Sequence, residues 1–203
     1  MSFFRTALIA VMLGAPQALA AEVKFDGEPQ SVPSGGQVVN DTDLVWKVTV
    51  PETWIWRSGR SLGGSSVLLA YTAGQKDDAV LEIAPEIAGA VVCRSQFAVE
   101  RDTAKATQDD LNARAAAEVA AAAEAIAALP DGPAKSASFA DTWTGGGVTV
   151  AGMVQPDPAA DGRLVASAAL RRPGESHAVQ CRAVTEGVPA AALAAFIRSF
   201  RPL

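Results

Sequence analysis

The feature that most restricts how this 203-residue chain can fold is the shortness of the connections in its last third. Four segments of strand character follow one another there: Ser136–Trp143, Val148–Gln155, Leu164–Arg171 and Ser176–Val184. Gly145-Gly146-Gly147 lies between the first two, Pro156 to Gly162 between the next two, and Pro173-Gly174 between the last two. A parallel pair needs a crossover of about a dozen residues or more, usually a helix. None of these gaps can hold one. The four segments are therefore expected as antiparallel neighbours in a meander.

Upstream, the same period of two recurs in Leu44, Trp46, Val48 and Val50, which share one face of a strand that Pro51 stops. Thr53–Arg57 follows, with Trp54 and Trp56 on one side and Ile55 on the other. Ser66–Thr72 and Ala79–Ala84 are further expected strands, separated by a polar turn at Gly74–Asp78. The stretch Ala88–Glu100 suits either a strand or an extended approach to a helix. Residues 22–42 mix Gly and Pro with polar residues, and are expected as a flexible lead-in with one short strand at Gln37–Asn40.

In mid-chain the period changes. Leu111, Ala115, Val119, Ala122, Ile126 and Leu129 recur at three or four residues, which is one face of a long helix. Thr103 or Asp102 is expected to cap it, and Pro130-Asp131-Gly132-Pro133 ends it. A last helix is expected from Pro189, with Leu193, Phe196, Ile197 and Phe200 as its core stripe. The expectation is a single α+β domain over residues 43–203: a mainly antiparallel sheet flanked by the long helix and the C-terminal helix. Val48–Trp56 (VTVPETWIW), the mid-chain helix, the meander and Phe196–Pro202 (FIRSFRP) together resemble the PsbP-like family of photosynthetic and bacterial exported domains. The resemblance implies an α/β/α sandwich. It carries no site residue over to this chain.

The first twenty residues read as an address. Arg5 precedes the nine-residue apolar run Ala7–Ala15, and Ala18-Leu19-Ala20 has the small-x-small form of a cleavage site. A bilayer span needs about 20 apolar residues, so a signal peptide over residues 1–20 is expected, followed by the lead-in over 21–42. Further on, the Ala-rich run near residues 115–129 is interrupted by Glu118 and Glu124 and is not a membrane span. Hydrophobic residues make up 49% of the chain, but 42 residues are Ala, so the core is adequate rather than rich. With 17 basic against 22 acidic residues and a pI near 4.9, the chain has no basic footprint for nucleic acid. Export to the periplasm is the expected location.

Residues that could carry chemistry are few. Cys93 and Cys181 make an even pair in an exported chain, and a disulfide across their 88-residue separation is expected. Two free buried thiols are the alternative, and no Cys-x-x-Cys spacing supports a redox pair. His177, the chain's one histidine, shares strand parity with Val179 and Cys181, and reads as an ordinary strand residue without a nucleophile set against it. Ser58, Ser61, Ser65 and Ser66 fall in a Gly-rich connection that has no Gly-x-Ser-x-Gly elbow. That connection and Gly145–Gly147 lack the Gly-Lys-Ser/Thr ending of a phosphate cradle. Asp77-Asp78, and Asp157 with Asp161, lack the alternating acidic pattern of a calcium loop and read as solvated turns. No metal, cofactor or catalytic residue is assigned.

Trp54, Trp56 and Trp143 are either core or a surface for a partner, and Trp54 and Trp56 beside the Gly-rich connection are the candidate surface. The functional expectation is a non-catalytic binding or accessory domain of the cell envelope, whose partner is an envelope protein or a small ligand. The alternative is a small periplasmic enzyme, such as a hydrolase. Neither spacing nor composition fixes an oligomeric state.

Overall fold

The computed structural model describes residues 23–85, 87, 89–157, 162–184 and 190–203. The expected signal peptide, Pro189 and Asp161 lie outside them. Among the described residues strand exceeds helix, 46% to 25%. The meander forms as expected, from β8 (Phe139–Gly145), β9 (Val148–Pro156), β10 (Arg163–Arg172) and β11 (Glu175–Val184). These are numbered after β1 (Val23–Phe25), β2 (Gln30–Ser31), β3 (Gln37–Asn40), β4 (Trp46–Val50), β5 (Trp54–Ser61), β6 (Ser66–Thr72) and β7 (Val91–Val99). A short β12 (Arg201–Pro202) closes the chain. Gly146 and Gly147 turn the β8–β9 hairpin with φ of 57° and 79°, the left-handed pair that a tight two-residue turn requires.

Among the described residues the strands form two sheets, antiparallel throughout. The large one has nine strands in the order β1-β5-β6-β7-β11-β10-β9-β8, with β2 also on β5; the small one is β12-β4-β3. The segment expected as a flexible lead-in thus supplies β1, β2 and β3. The ambiguous stretch before the long helix is β7.

Successive side chains of a strand point to opposite faces, and β9 shows how the two faces of the large sheet are covered. Ala151 packs with Ala115 and Val119 of helix α2 (Gln108–Ala127), which follows the short α1 (Asp77–Glu82) in the chain. Val148, Val150 and Val154 instead pack with Leu193, Phe196, Ile197 and Phe200. The first three of those four belong to α4 (Ala190–Ser199), numbered after the one-turn α3 (Pro133–Ala137). Trp46, Val48 and Val50 of the small sheet join the same cluster.

The α/β/α sandwich is therefore not the architecture, and the reason lies in the N-terminal third. Two period-two segments there pair into a second sheet, which shares one face with α4, so that face is not a helical layer. On the other face α2 covers only β8, β9 and β10, while α1 covers β6 and β7. A second correction concerns Ala79–Ala84, expected as a strand: residues 77–82 are α1. A third is the cap of α2. Thr107, not Thr103 or Asp102, occupies it and forms a capping box with Asp110.

Cys93 on β7 stands directly opposite Cys181 on β11, and the two form a disulfide with Cα atoms 3.9 Å apart. The bond lies inside the larger core, with both cysteines almost fully buried. Arg171 ties α2 to the sheet: it meets Glu118 of the helix at 2.9 Å and the buried Glu100 at 3.6 Å. No helix among the described residues is long and apolar enough to cross a membrane.

Candidate functional site

The large sheet splits along part of one seam. β6 and β7 pair from Tyr71↔Val92 to Leu69↔Arg94 and then part. Each strand continues on its other neighbour: β6 stays on β5 as far as Ser66, and β7 stays on β11 as far as Val99. At the point of separation the buried Ser95 hydroxyl accepts the Leu68 N–H at 2.7 Å, replacing the lost ladder partner. A wedge opens beyond it.

The loop between β3 and β4 overhangs that wedge. Thr42 N–H donates to the Ser66 hydroxyl at 3.4 Å, and Arg60 pairs with Asp43 at 3.1 Å, so the loop is tied to both strands of the β5–β6 hairpin beside its turn. The space enclosed has a volume of about 240 Å³ and is lined by residues of the loop, β4, β7 and β11, among others.

Asp41 opens the overhanging loop. Its N–H donates to the Trp46 carbonyl at 2.8 Å, and its own carbonyl accepts the Leu44 N–H at 3.0 Å. To make this tight return, Leu44 adopts a φ of 56°, a left-handed conformation that costs a non-glycine residue about 1–3 kcal/mol. Leu44 itself is exposed, so the strain is not repaid by burial of its side chain. What the geometry secures is Asp41, which is 3% exposed. Its Oδ2 accepts the Val45 N–H at 3.3 Å, while Oδ1 is buried and has no hydrogen-bond partner among the described residues. A buried carboxylate oxygen without a donor is costly and uncommon in native folds.

His177 lines the same cleft from β11. The residue is 7% exposed and stands opposite Phe97 in the ladder, ring centroids 5.1 Å apart. Its Nε2 lies 3.5 Å from Glu175 Oε1 but makes no hydrogen bond. One cleft therefore holds two nearly buried polar side chains, Asp41 and His177, each with an atom lacking a hydrogen-bond partner. The Ser66 hydroxyl in its wall is engaged by Thr42, and no hydrogen bond joins it to His177 among the described residues. No group of three His, Cys, Asp or Glu side chains among the described residues could hold a metal ion. The arrangement suits recognition of a group that donates hydrogen bonds.

Trp54 and Trp56, the candidate partner surface, do not form one. Trp54 is 2% exposed and packs on Phe196 of α4 with ring centroids 5.4 Å apart. Trp56 is half-buried, and its Nε1 donates to Gln37 Oε1 at 3.1 Å. Trp143, also half-buried, donates from Nε1 to the Phe200 carbonyl at 2.7 Å. The Gly-rich connection beside the tryptophans is mostly strand: Ser58 and Ser61 belong to β5 and Ser66 to β6. Asp77 and Asp78 begin α1 rather than a turn.

Sequence reasoning passed over Asp41, Phe97 and Glu175, and took His177 for an ordinary strand residue. A signal for Asp41 existed. Asn40-Asp41-Thr42-Asp43 is a cluster of turn-forming residues between two period-two runs, which marks a hairpin. Comparison with protein-family models and with curated proteins found no match.

Proposed function

We propose that this chain is an exported, non-catalytic binding or accessory domain of the cell envelope, and that its recognition site is the wedge between β6 and β7. The observation that carries the reading is the pairing, in one cleft, of buried Asp41 Oδ1 and buried His177 Nε2, neither with a hydrogen bond of its own. Buried polar groups are normally satisfied within a fold. Two exceptions at one opening, held by a loop with a strained Leu44, are what a preformed ligand site requires. The leader-like start of the sequence and the disulfide both favour an oxidising compartment.

Two experiments test the reading. Intact-mass measurement of the periplasmic form should give a chain beginning at Ala21, and a dominant species retaining Met1 to Ala20 would remove the export argument. Immobilised protein should retain a component of periplasmic extract, and Asp41→Asn or His177→Ala should release it. Glu124→Gln, an exposed change on α2 across the sheet, serves as the control. Equal retention by all four proteins would sink the wedge as the site.

A further inference from the structure

The charge in the wedge narrows what it accepts, an inference that rests on reading the wedge as the recognition site. Asp41, Asp43 and Glu175 all line it, and no Lys or Arg does among the described residues. Asp43 is answered by Arg60 outside the cleft at 3.1 Å. Among the described residues Asp41 and Glu175 have no such partner, and the His177 ring lies beside Glu175.

An ionised carboxylate accepts hydrogen bonds and donates none, so the group missing from Asp41 Oδ1 is a donor. An incoming anion would meet the two carboxylates Asp41 and Glu175. A neutral hydroxyl would complete the hydrogen bond yet leave the buried charge uncompensated. A cationic N–H does both, and forms the stronger, charge-assisted bond. The aromatic lining agrees: Trp46 and Phe97 border the cleft, and Phe97 is 39% exposed, which leaves ring surface for a cation. The volume of about 240 Å³ is smaller than the roughly 300–1,000 Å³ of sites that enclose drug-sized ligands, so it suits one head group on a short apolar stem.

We propose that the wedge binds a single organic cation, an ammonium group on a short alkyl stem, presented by a free amine or by a lysine side chain. The chain's one histidine makes the test direct, because the imidazole signals in a ¹⁵N-labelled spectrum all belong to His177. n-Butylammonium and a short lysine-containing peptide are titrated separately, with acetate and glycerol as anionic and neutral probes. One or both cations should shift the His177 signals saturably; a shift with butylammonium indicates a free amine, and one with the peptide alone indicates a partner's lysine. Asp41→Asn should weaken the effect at least tenfold, and Glu175→Gln, at a more exposed residue, should weaken it if the first variant fails to fold. Saturable binding of acetate or glycerol with no response to either cation would overturn the cation while preserving the wedge as a binding site. No response to any of the four probes would overturn the cation proposal, and retention of an extract component sensitive to Asp41 and His177 would still distinguish that from failure of the site itself.

Discussion

Cys93 and Cys181 are register partners on β7 and β11, so their disulfide joins two strands that the sheet already pairs. The bond closes a loop of 88 residues containing α2 and the whole of β8, β9 and β10. In the chain-entropy account its main effect is on the unfolded chain. Cys93→Ser or Cys181→Ser should lose roughly 2–5 kcal/mol in denaturant unfolding. The unreduced protein should carry no free thiol and yield a Cys93–Cys181 peptide on digestion.

Trp54 and Phe196 stack across the larger core, one from β5 and one from α4. Either residue changed to Ala should cost roughly 3–5 kcal/mol, the range for a truncated buried aromatic. Chemical denaturation would measure it. A cost below about 0.5 kcal/mol, ordinary for surface substitutions, would favour the alternative reading of Trp54 as a surface residue.

Gly152 lies beneath the Trp143 ring of the neighbouring strand, and a Cβ there would run into the ring atoms Cη2 and Cζ3. Gly152→Ala should therefore destabilise by about 1–3 kcal/mol through overpacking, despite the gain in strand preference. Gly132→Ala, where a Cβ would meet nothing within 4 Å, is the comparison. Equal thermal midpoints for the two variants would contradict the packing of Trp143.

Arg171 bridges Glu100 and Glu118, and Glu100 is 7% exposed. Removing the cation leaves a buried carboxylate without its partner, a loss of roughly 3–5 kcal/mol for a buried pair. Arg171→Met should show most of that cost, and the double variant Arg171→Met with Glu100→Gln should recover part of it. Unfolding curves of the two would decide.

Asp110 gives one acid-sensitive contact. Hydrogen bonds from the side chain and then the backbone of Thr107 hold its carboxyl below the ordinary value of 3.8, outweighing a small opposing effect of desolvation. Because the folded value is the lower one, the contribution is complete above the unfolded value and is lost as pH falls through the folded one. Thermal midpoints measured from about pH 5 down to about pH 2 should fall less steeply for Asp110→Asn than for the parent chain.

How far the sequence revealed the fold depended on how local each signal was. The meander was legible because period-two runs alternate with Gly and Pro turns, and every such turn has few solutions. The stripe Leu193, Phe196, Ile197, Phe200 was legible for the same reason. Residues 79–84 were not, since a run of six suits a strand or a short helix alike, and α1 forms because it covers β6 and β7. Trp54 stayed open between core and surface because its cover, Phe196, is far away in sequence. The site was the least legible part. It depends on where β6 leaves β7, and it joins Asp41, Phe97 and His177 from three separate strands or loops. Residue types alone marked only His177.

The most direct measurement of the central claim, that the wedge is where this chain meets its ligand, is the imidazole spectrum of His177 in the presence of periplasmic extract. The account predicts a saturable movement of those signals in the parent chain and much less movement with Asp41→Asn. Extract that shifts other resonances of the protein while leaving His177 in place would put recognition elsewhere on the molecule and contradict it.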